Sequence, residues 1–156
     1  EIGYNFEPSE IGASFGLEQL KKLKKFSKIR IRNFNCHFNF FKKLSKYFIV
    51  PKINKYVKTN FLAYPIILNK KINFNRKEFQ IYLEENGIQT RPIFSGNILR
   101  HPAFHSLISR KNKLNEFKNS DFIMKNGLLI GCHQGLSLKD ISYIHSTIVK
   151  FKKLKL

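Results

Sequence analysis

The stretch that most constrains the fold is an amphipathic helix that the sequence predicts from Ser9 onward. Ser9 is a typical N-cap residue, and a polar turn, GYNFEP, precedes it. Apolar side chains then recur mostly at three-residue steps between lysines, at Ile11, Leu17, Leu20, Leu23, Phe26 and Ile29. Small residues allow another backbone to approach the same helix closely, at Gly12, Ala13, Ser14 and Gly16. We therefore predict a docking helix that presents a polar loop at its N-terminus.

The next hundred residues show alternating helix and strand patterns. We expect the first helix to break or bend within residues 33–41 and to end before Pro51, with a polar connection over residues 52–59. Residues 60–68 (NFLAYPIIL) predict a strand, and Pro65 indicates a sheet edge or a bulge because it lacks an N–H donor.

Capping signals define the remaining elements. Asn75 and Glu78 have the spacing of a capping box, and Asn86-Gly87 predicts the end of that helix. A strand is expected over residues 88–94, then a loop, a helix over residues 114–124 and the apolar strand LLIG. Ser137 and Asp140 cap a last helix, whose apolar face carries Ile141, Ile144, Ile148 and Phe151. This order predicts an α/β fold in which helices cover one side of a short mixed sheet with antiparallel pairs.

The composition of the chain limits the kinds of partner that it is expected to bind. The chain has 156 residues, enough for the core of one domain, and a formal net charge of +19. Nucleic-acid binding is one explanation of that charge. Only six of the 29 basic residues are arginine, however, and asparagine, isoleucine and phenylalanine are abundant, which is typical of AT-rich codons. We therefore favour a lysine-rich solvated surface over nucleic-acid binding.

The two cysteines, Cys36 and Cys132, lie far apart in the chain and indicate a reducing compartment. A zinc site built with His37 and His133 lacks the usual short ligand spacing, so we expect no metal. No apolar run reaches the roughly 20 residues of a membrane span, and we expect no membrane partner.

Three ordered motifs resemble one protein family. They are GYNFEPSEIGASFGLEQLKKL, ENGIQTRPIFSGNILRHPAF and SDFIMKNGLLIGCHQGLSLKDISYI. Together they are similar to the C-terminal part of the DegT/DnrJ/EryC1/StrS family of pyridoxal-phosphate-dependent enzymes, which act on nucleotide-linked keto sugars. The resemblance implies the small C-terminal domain of an aspartate-aminotransferase-like fold, in a dimer whose active sites lie at the subunit interface.

The resemblance also implies a division of the protein. Residues 1–50 would form the interdomain and dimer-interface turn with its long helix, and residues 51–156 the small α/β domain. The large cofactor-binding domain, with the residue that forms the internal aldimine, would lie upstream of Glu1, so no residue here is expected to be catalytic. Because the chain opens on a motif and not on methionine, we expect a fragment that is inactive alone and prone to aggregation through its uncovered apolar face.

Site residues follow from the resemblance and from local chemistry. Asn5 matches the family asparagine that reaches the cofactor phosphate of the partner subunit, although a turn asparagine can also bond its own backbone. Arg91 is expected either to bind a substrate phosphate or carboxylate or to tie strands to a buried acid. A polar loop is expected to recognise the nucleotide sugar, through Ser95, Asn97, Arg100 and His101, with a plain solvated loop as the alternative.

Two further positions are less specific. His133 follows an apolar strand and precedes a turn, where ligand-facing residues often lie, but a single histidine is more often structural. Phe94 and Phe104 are expected in the core or in the wall of a pocket.

The resemblance favours a cytoplasmic homodimeric sugar aminotransferase of lipopolysaccharide or O-antigen biosynthesis, with pyridoxal or pyridoxamine phosphate as cofactor and an amino acid such as glutamate as donor. The alternative within the family is a nucleotide-sugar 3-dehydratase, which the segment FSGNILRHPAF especially resembles. An upstream lysine would indicate transamination, a histidine dehydration and an adjoining cysteine cluster an iron-sulfur dehydratase. The alternative from another class is a noncatalytic basic module that binds nucleic acid.

Overall fold

The order of helices and strands in the computed structural model follows the predicted one. The structure describes residues 9–107 and 117–151. Its elements are α1 (Glu10–Lys43), β1 (Phe48–Ile49), β2 (Ala63–Leu68), α2 (Arg76–Glu85), β3 (Thr90–Pro92), α3 (Lys118–Asn126), β4 (Gly127–Gly131) and α4 (Leu138–Val149). Two short 3-10 turns, Ile98–Arg100 and Pro102–Leu107, lie in the predicted loop after β3. The sequence did not predict β1, which is only two residues long.

Four strands form one sheet in the order β1-β2-β4-β3, and all neighbours are antiparallel. The last strand in the sequence is therefore internal, between β2 and β3. Tyr64 is opposite Ile130 in β4, and Ile130 is opposite Thr90 in β3. The predicted antiparallel pairs are confirmed, but the prediction of a mixed sheet is wrong, because every strand pair among the described residues is antiparallel.

Pro65 lies in an internal strand but at a locally open edge. It is opposite Leu129 of β4 on one side. On the other side, β1 pairs only with Ile67 and Leu68, so no strand lies beside Pro65 there. A missing N–H is tolerated where a strand has no partner, which explains why the proline does not interrupt the sheet.

The core lies between one face of the sheet and three helices, α1, α2 and α4. Alternate residues of β2 are buried because successive strand side chains point to opposite faces. Fully buried side chains in this layer are Phe34, Phe41, Tyr64, Ile66, Phe79, Leu83, Leu128, Ile130 and Ile148. The opposite face of the sheet, hereafter the outer face, is only partly covered, by α3.

The predicted break in α1 is wrong, because residues 33–41 are helical throughout. The buried residues of this helix are Asn33, Phe34, His37 and Phe41. Their spacing of one, three and four places them on one helix face, so the aromatic and asparagine-rich stretch that resembled an interruption is the part of α1 that enters the core.

The first half of α1 does not reach the core. Five apolar side chains there are exposed within the described part of the chain: Ile11, Phe15, Leu17, Leu20 and Leu23. The predicted apolar stripe is therefore present, but the described residues do not cover it.

The capping predictions are confirmed. The Ser9 hydroxyl accepts from the Gly12 N–H at 3.5 Å, and reciprocal capping boxes start α2 at Asn75 and α4 at Ser137. Gly87 follows α2 with φ +71°, in the left-handed region that favours glycine.

Two predicted elements differ in length. The strand expected over residues 88–94 is paired only over Thr90–Pro92. The helix expected over residues 114–124 is Lys118–Asn126, and the start of the predicted range lies outside the described residues. No helix in the described ranges is both long and apolar enough to span a membrane.

A buried asparagine fastens the loop between β4 and α4 to the long helix. The Asn33 amide donates to the carbonyl oxygens of His133 at 3.0 Å and Leu136 at 3.1 Å. Its own carbonyl accepts from Arg32. Because Asn33 is fully buried, these bonds both satisfy its polar atoms and fix where α4 begins.

A pair of histidines joins the same helices one turn farther along. His37 Nε2 lies 3.1 Å from the Gly131 carbonyl oxygen and must donate to it. When neutral, His37 therefore accepts at Nδ1, and His145 Nε2 donates to it at 3.0 Å. Phe40 stacks on His145 with ring centroids 4.0 Å apart. Burial lowers the pKa of both histidines to about 4, so the pair is neutral near pH 7.

Tyr64 leads to a prediction about stability. Its hydroxyl oxygen is buried without a hydrogen-bond partner among the described residues, which costs desolvation free energy. We expect Tyr64→Phe to leave the free energy of unfolding unchanged or raise it by about 1 kcal/mol. The matched control is Tyr82→Phe, which removes the Tyr82 bond to the Thr147 carbonyl (3.0 Å) and should lower stability by about 1 kcal/mol. Urea denaturation of both variants checks this, and a larger loss for Tyr64→Phe would contradict it.

The histidine pair predicts a dependence of stability on pH. Each histidine has a lower pKa in the folded state, about 4, than its ordinary 6.5, so the unfolded state binds protons first. The stabilisation is complete above about pH 6.5 and decreases as the pH falls toward 4, by about 1.4 kcal/mol per pH unit for each proton. Urea denaturation at pH 7.5 and 5 should show this slope.

Replacing His145 by Phe should reduce the slope by removing one of the two titrating groups. Ser146→Ala, an exposed position of the same helix without a titrating side chain, is the control and should keep the wild-type slope. Equal slopes in wild type and His145→Phe would show that the pair does not cause the pH dependence.

Candidate functional site

An apolar groove near the predicted site residues extends from the outer face of the sheet around to Phe34 of α1. Its floor includes Pro65 and Leu129, which are opposite each other in β2 and β4 and so share a face. Arg91 is opposite Leu129 in β3 and lies on the same face. The groove has a volume of about 550 Å³. Its lining is Phe34, Pro51, Lys52, Ile53, Asn54, Val57, Thr59, Asn60, Phe61, Leu62, Ala63, Pro65, Ile93, Phe94 and Leu129.

One wall of the groove is the connection between β1 and β2. The predicted polar connection over residues 52–59 has no helix or strand. Phe61 anchors its end, because its ring stacks on Phe34 of α1 with centroids 3.6 Å apart. The Phe61 carbonyl also accepts from the Cys132 thiol at 3.6 Å. Burial raises the pKa of that thiol to about 11, so Cys132 is a neutral packing residue.

Phe94 also lines the groove, and its backbone is strained. Phe94 has φ +45°, the left-handed region that side-chain-bearing residues rarely adopt, and its side chain is 80% exposed. A residue in this region costs about 1–3 kcal/mol and often marks a functional position. Of the two predicted locations, core or pocket wall, the structure places Phe94 in the wall.

The loop that follows Phe94 is fastened to α3. Gly96 has φ +64°, and a Cβ there would lie 2.5 Å from Cγ of Met124. The buried Asn97 donates to Asp121 Oδ1 at 2.7 Å and caps the 3-10 turn by accepting from the Leu99 N–H. Arg100 donates to both oxygens of Asp121, with Nε at 2.9 Å from Oδ1. Residues 96–100 are thus held in one conformation by a helix.

The Asp121 carboxylate accepts the hydrogen bonds that hold this loop against α3. Hydrogen bonds from Arg100 and then Asn97 lower the pKa of its carboxyl to about 2, so it is ionised at neutral pH. Arg100, predicted as the best phosphate partner, is already engaged by this carboxylate. Its role toward a substrate stays a prediction, while its role in fixing the loop is visible.

Ser95 and His101 close the same loop. His101 Nε2 lies 2.6 Å from the Ser95 carbonyl oxygen, so this nitrogen donates. The structure therefore brings four predicted residues together, Ser95, Asn97, Arg100 and His101.

Arg91 is exposed on β3. The acid nearest to it in the described part of the chain, Glu84 of α2, is exposed and is therefore not the buried acid of the alternative. Thr90 donates to Glu84 through its N–H and its hydroxyl, both at 2.6 Å. These bonds, more than the nearby charge of Arg91, lower the Glu84 pKa. Thr90 fastens Glu84 to the strand, and Arg91 lies on the outer face.

His133 lies elsewhere. It is exposed after β4, and its Nδ1 accepts from the Gly135 N–H at 3.1 Å. It lines a separate pocket of about 300 Å³ with Asp140 and Tyr143, and shares no lining with the groove. Its role as a substrate residue stays a prediction.

The remaining predictions concern cofactor and metal. Asn5 lies outside the described residues, so its cofactor role stays a prediction. His37 and Cys132 are engaged in the core. In residues 9–107 and 117–151, no three or more His, Cys, Asp or Glu side chains group closely enough to hold a metal ion.

Sequence reasoning missed Asp121 and undervalued Phe94. Asp121 is separated from Arg100 by 20 residues, and no short motif indicates their pairing. Phe94 precedes Ser95-Gly96, and that turn signal could have indicated an unusual backbone beside it.

The chain is similar to proteins of one family of aminotransferases and related enzymes. The model of the DegT/DnrJ/EryC1/StrS aminotransferase family matches residues 1–149. The chain is 29% identical to lipopolysaccharide biosynthesis protein RfbH of Salmonella typhimurium, covering 96% of the chain and 34% of that relative. It is 31% identical to UDP-4-amino-4,6-dideoxy-N-acetyl-beta-L-altrosamine transaminase of Campylobacter jejuni, covering 95% and 38%.

The fold matches as well. The Escherichia coli structure of GDP-4-keto-6-deoxy-D-mannose-3-dehydratase with bound hydrated PLP superposes with a TM-score of 0.80 and 30% identity, over 94% of this chain and 36% of that one. The chain thus spans about a third of the length of the relatives it matches. Its fold is that of the C-terminal α/β domain of aspartate-aminotransferase-like enzymes.

Proposed function

The chain belongs to the DegT/DnrJ/EryC1/StrS aminotransferase family, and we propose that it is the C-terminal portion of a pyridoxal-phosphate-dependent aminotransferase acting on a nucleotide-linked keto sugar. The observation that carries the proposal is the family match over residues 1–149, supported by the superposition on a PLP-bound relative. The proposed process is lipopolysaccharide or O-antigen synthesis, because one relative is named for lipopolysaccharide biosynthesis.

The first half of α1 and residues 51–156 would have different roles in the complete enzyme. The exposed apolar half of α1 would pack against the large domain or the second subunit of a homodimer, because residues such as Phe15 and Leu20 have no cover among the described residues. Residues 51–156 would form the small domain, and their outer sheet face would supply the substrate side of the active site. The complete enzyme would be cytoplasmic.

The cofactor would act as the electron sink for amino transfer. Its fit to this chain rests on Asn5, which lies outside the described residues, and the aldimine-forming residue would lie upstream of Glu1. The chain's own contribution is therefore to bind and orient the sugar nucleotide, with glutamate as the proposed amino donor. A relative of known structure holds a trapped PLP-glutamate adduct, which supports that donor.

A 3-dehydratase is the second candidate. The 30% identity and TM-score of 0.80 to a 3-dehydratase favour it, while a transaminase with 31% identity favours amino transfer. The described residues fit both reactions, because both act on the same class of substrate.

Activity of the complete protein tests the proposal. We expect the protein that contains this chain, supplied with pyridoxal phosphate, glutamate and a nucleotide-linked 4-keto sugar, to form 2-oxoglutarate and an amino sugar in equal amounts, measured by mass spectrometry. The isolated 156-residue chain is the control and should show no turnover, since the large domain is needed.

A product that lacks the 3-hydroxyl and carries no amino group would indicate the dehydratase. Neither product, together with binding to nucleic acid that weakens steeply with salt, would contradict both enzymatic proposals and support the basic-module alternative.

A further inference from the structure

We propose that the groove on the outer sheet face binds the nucleobase and diphosphate of the sugar nucleotide, with Phe94 as the surface on which the base stacks. This inference rests on the proposed function for its ligand class, and it gives Phe94, which the sequence predicted only in the core or in a pocket wall, a specific contact with that ligand.

The floor of the groove suits a planar ring. Leu129 and Pro65 form a flat apolar surface across two paired strands, and Ile93 borders it. The volume of about 550 Å³ lies within the range of roughly 300–1,000 Å³ that is usual for small-molecule sites. A base lying here would bury both of its faces, one on the strands and one against the opposite wall.

Phe94 is held ready for stacking before any ligand arrives. Its ring is exposed and its φ is +45°, so neither burial nor backbone preference explains its position. The loop behind it keeps it there, because Gly96 packs on Met124 and Arg100 is bonded to Asp121. A ring that is fixed in advance loses little conformational entropy when it binds a partner.

The charges around the groove fit a diphosphate. No carboxylate lines the groove, whereas Lys52 does. Arg91 lies on the same sheet face, opposite Leu129, and an exposed guanidinium can pair with a phosphate through two hydrogen bonds. Thr59 and Asn60 add uncharged polar groups at the edge.

Stacking also explains how one kind of site can serve different nucleotides. Related proteins are named for GDP-, dTDP- and UDP-linked sugars. Every base has a π-face, so an aromatic platform tolerates all of them. Which base this chain accepts would then depend on the polar edge of the groove and not on Phe94.

Titration calorimetry of the complete protein with GDP, dTDP and UDP tests the inference. Phe94→Ala should weaken the tightest of the three by roughly 5- to 150-fold through loss of stacking, and Phe94→Tyr should bind as the wild type does. Phe117→Ala is the matched control: it removes an exposed aromatic side chain (40% exposed) that belongs to neither the groove nor its walls, and should leave affinity unchanged.

A second variant tests the contribution of the phosphate contacts to binding separately from that of the base. Arg91→Gln should weaken binding of the nucleoside diphosphate but not of the corresponding nucleoside. Circular dichroism checks that each variant is folded, which we expect because both side chains are exposed. Unchanged diphosphate affinity in Phe94→Ala or in Arg91→Gln would overturn the inference.

The outcomes distinguish this inference from the proposed function. If Phe94→Ala loses nucleotide binding while the wild-type protein catalyses neither amino transfer nor dehydration, the groove assignment is supported and the enzyme proposal is contradicted. If Phe94→Ala binds the nucleotide as tightly as the wild type does, and the wild-type protein transfers amino groups, the groove assignment is overturned and the enzyme proposal is not affected.

Discussion

The structure depends on burial of the second half of α1 against the inner face of the sheet. Phe34 and Phe41 bring apolar area to this contact, while Asn33 and His37 bond to the chain at the end of β4. Buried polar groups are costly unless they are paired, so these two residues fix the register of α1 against β4 as well as contributing to stability. Once that register is set, α4 begins at Ser137 and the outer face of the sheet is left open.

The exposure of the outer sheet face and that of the first half of α1 have the same explanation. Sheets and amphipathic helices normally bury their apolar surface against another layer, yet the outer face has α3 on only part of its area and the first half of α1 is exposed. Because the chain spans about a third of the length of its relatives, these are the surfaces where the proposed large domain and substrate would lie. The inner core is complete without them.

Sequence predicted the elements better than it predicted the site. Capping boxes and apolar periodicity are local signals, and they located α2, α4 and the start of α1. The prediction of a break at residues 33–41 is wrong. Asparagine and histidine disfavour helices when no buried partner compensates them, but here they have such partners. One of them, Gly131, lies about 100 residues away in the sequence. The pairing of Arg100 with Asp121, the strain at Phe94 and the two-residue β1 likewise arise from contacts distant in sequence. The family motifs placed the polar loop correctly on the chain but did not show that α3 holds it.

We propose that the outer sheet face is this chain's share of a substrate site that the rest of the protein completes. Hydrogen-deuterium exchange of the complete protein, with and without a nucleotide-linked sugar, tests it most directly. We expect slower exchange on ligand addition in residues 51–62 and 93–97, with no change in the loop around His133. Protection confined to the His133 loop, with residues 51–62 and 93–97 unaffected, would contradict it.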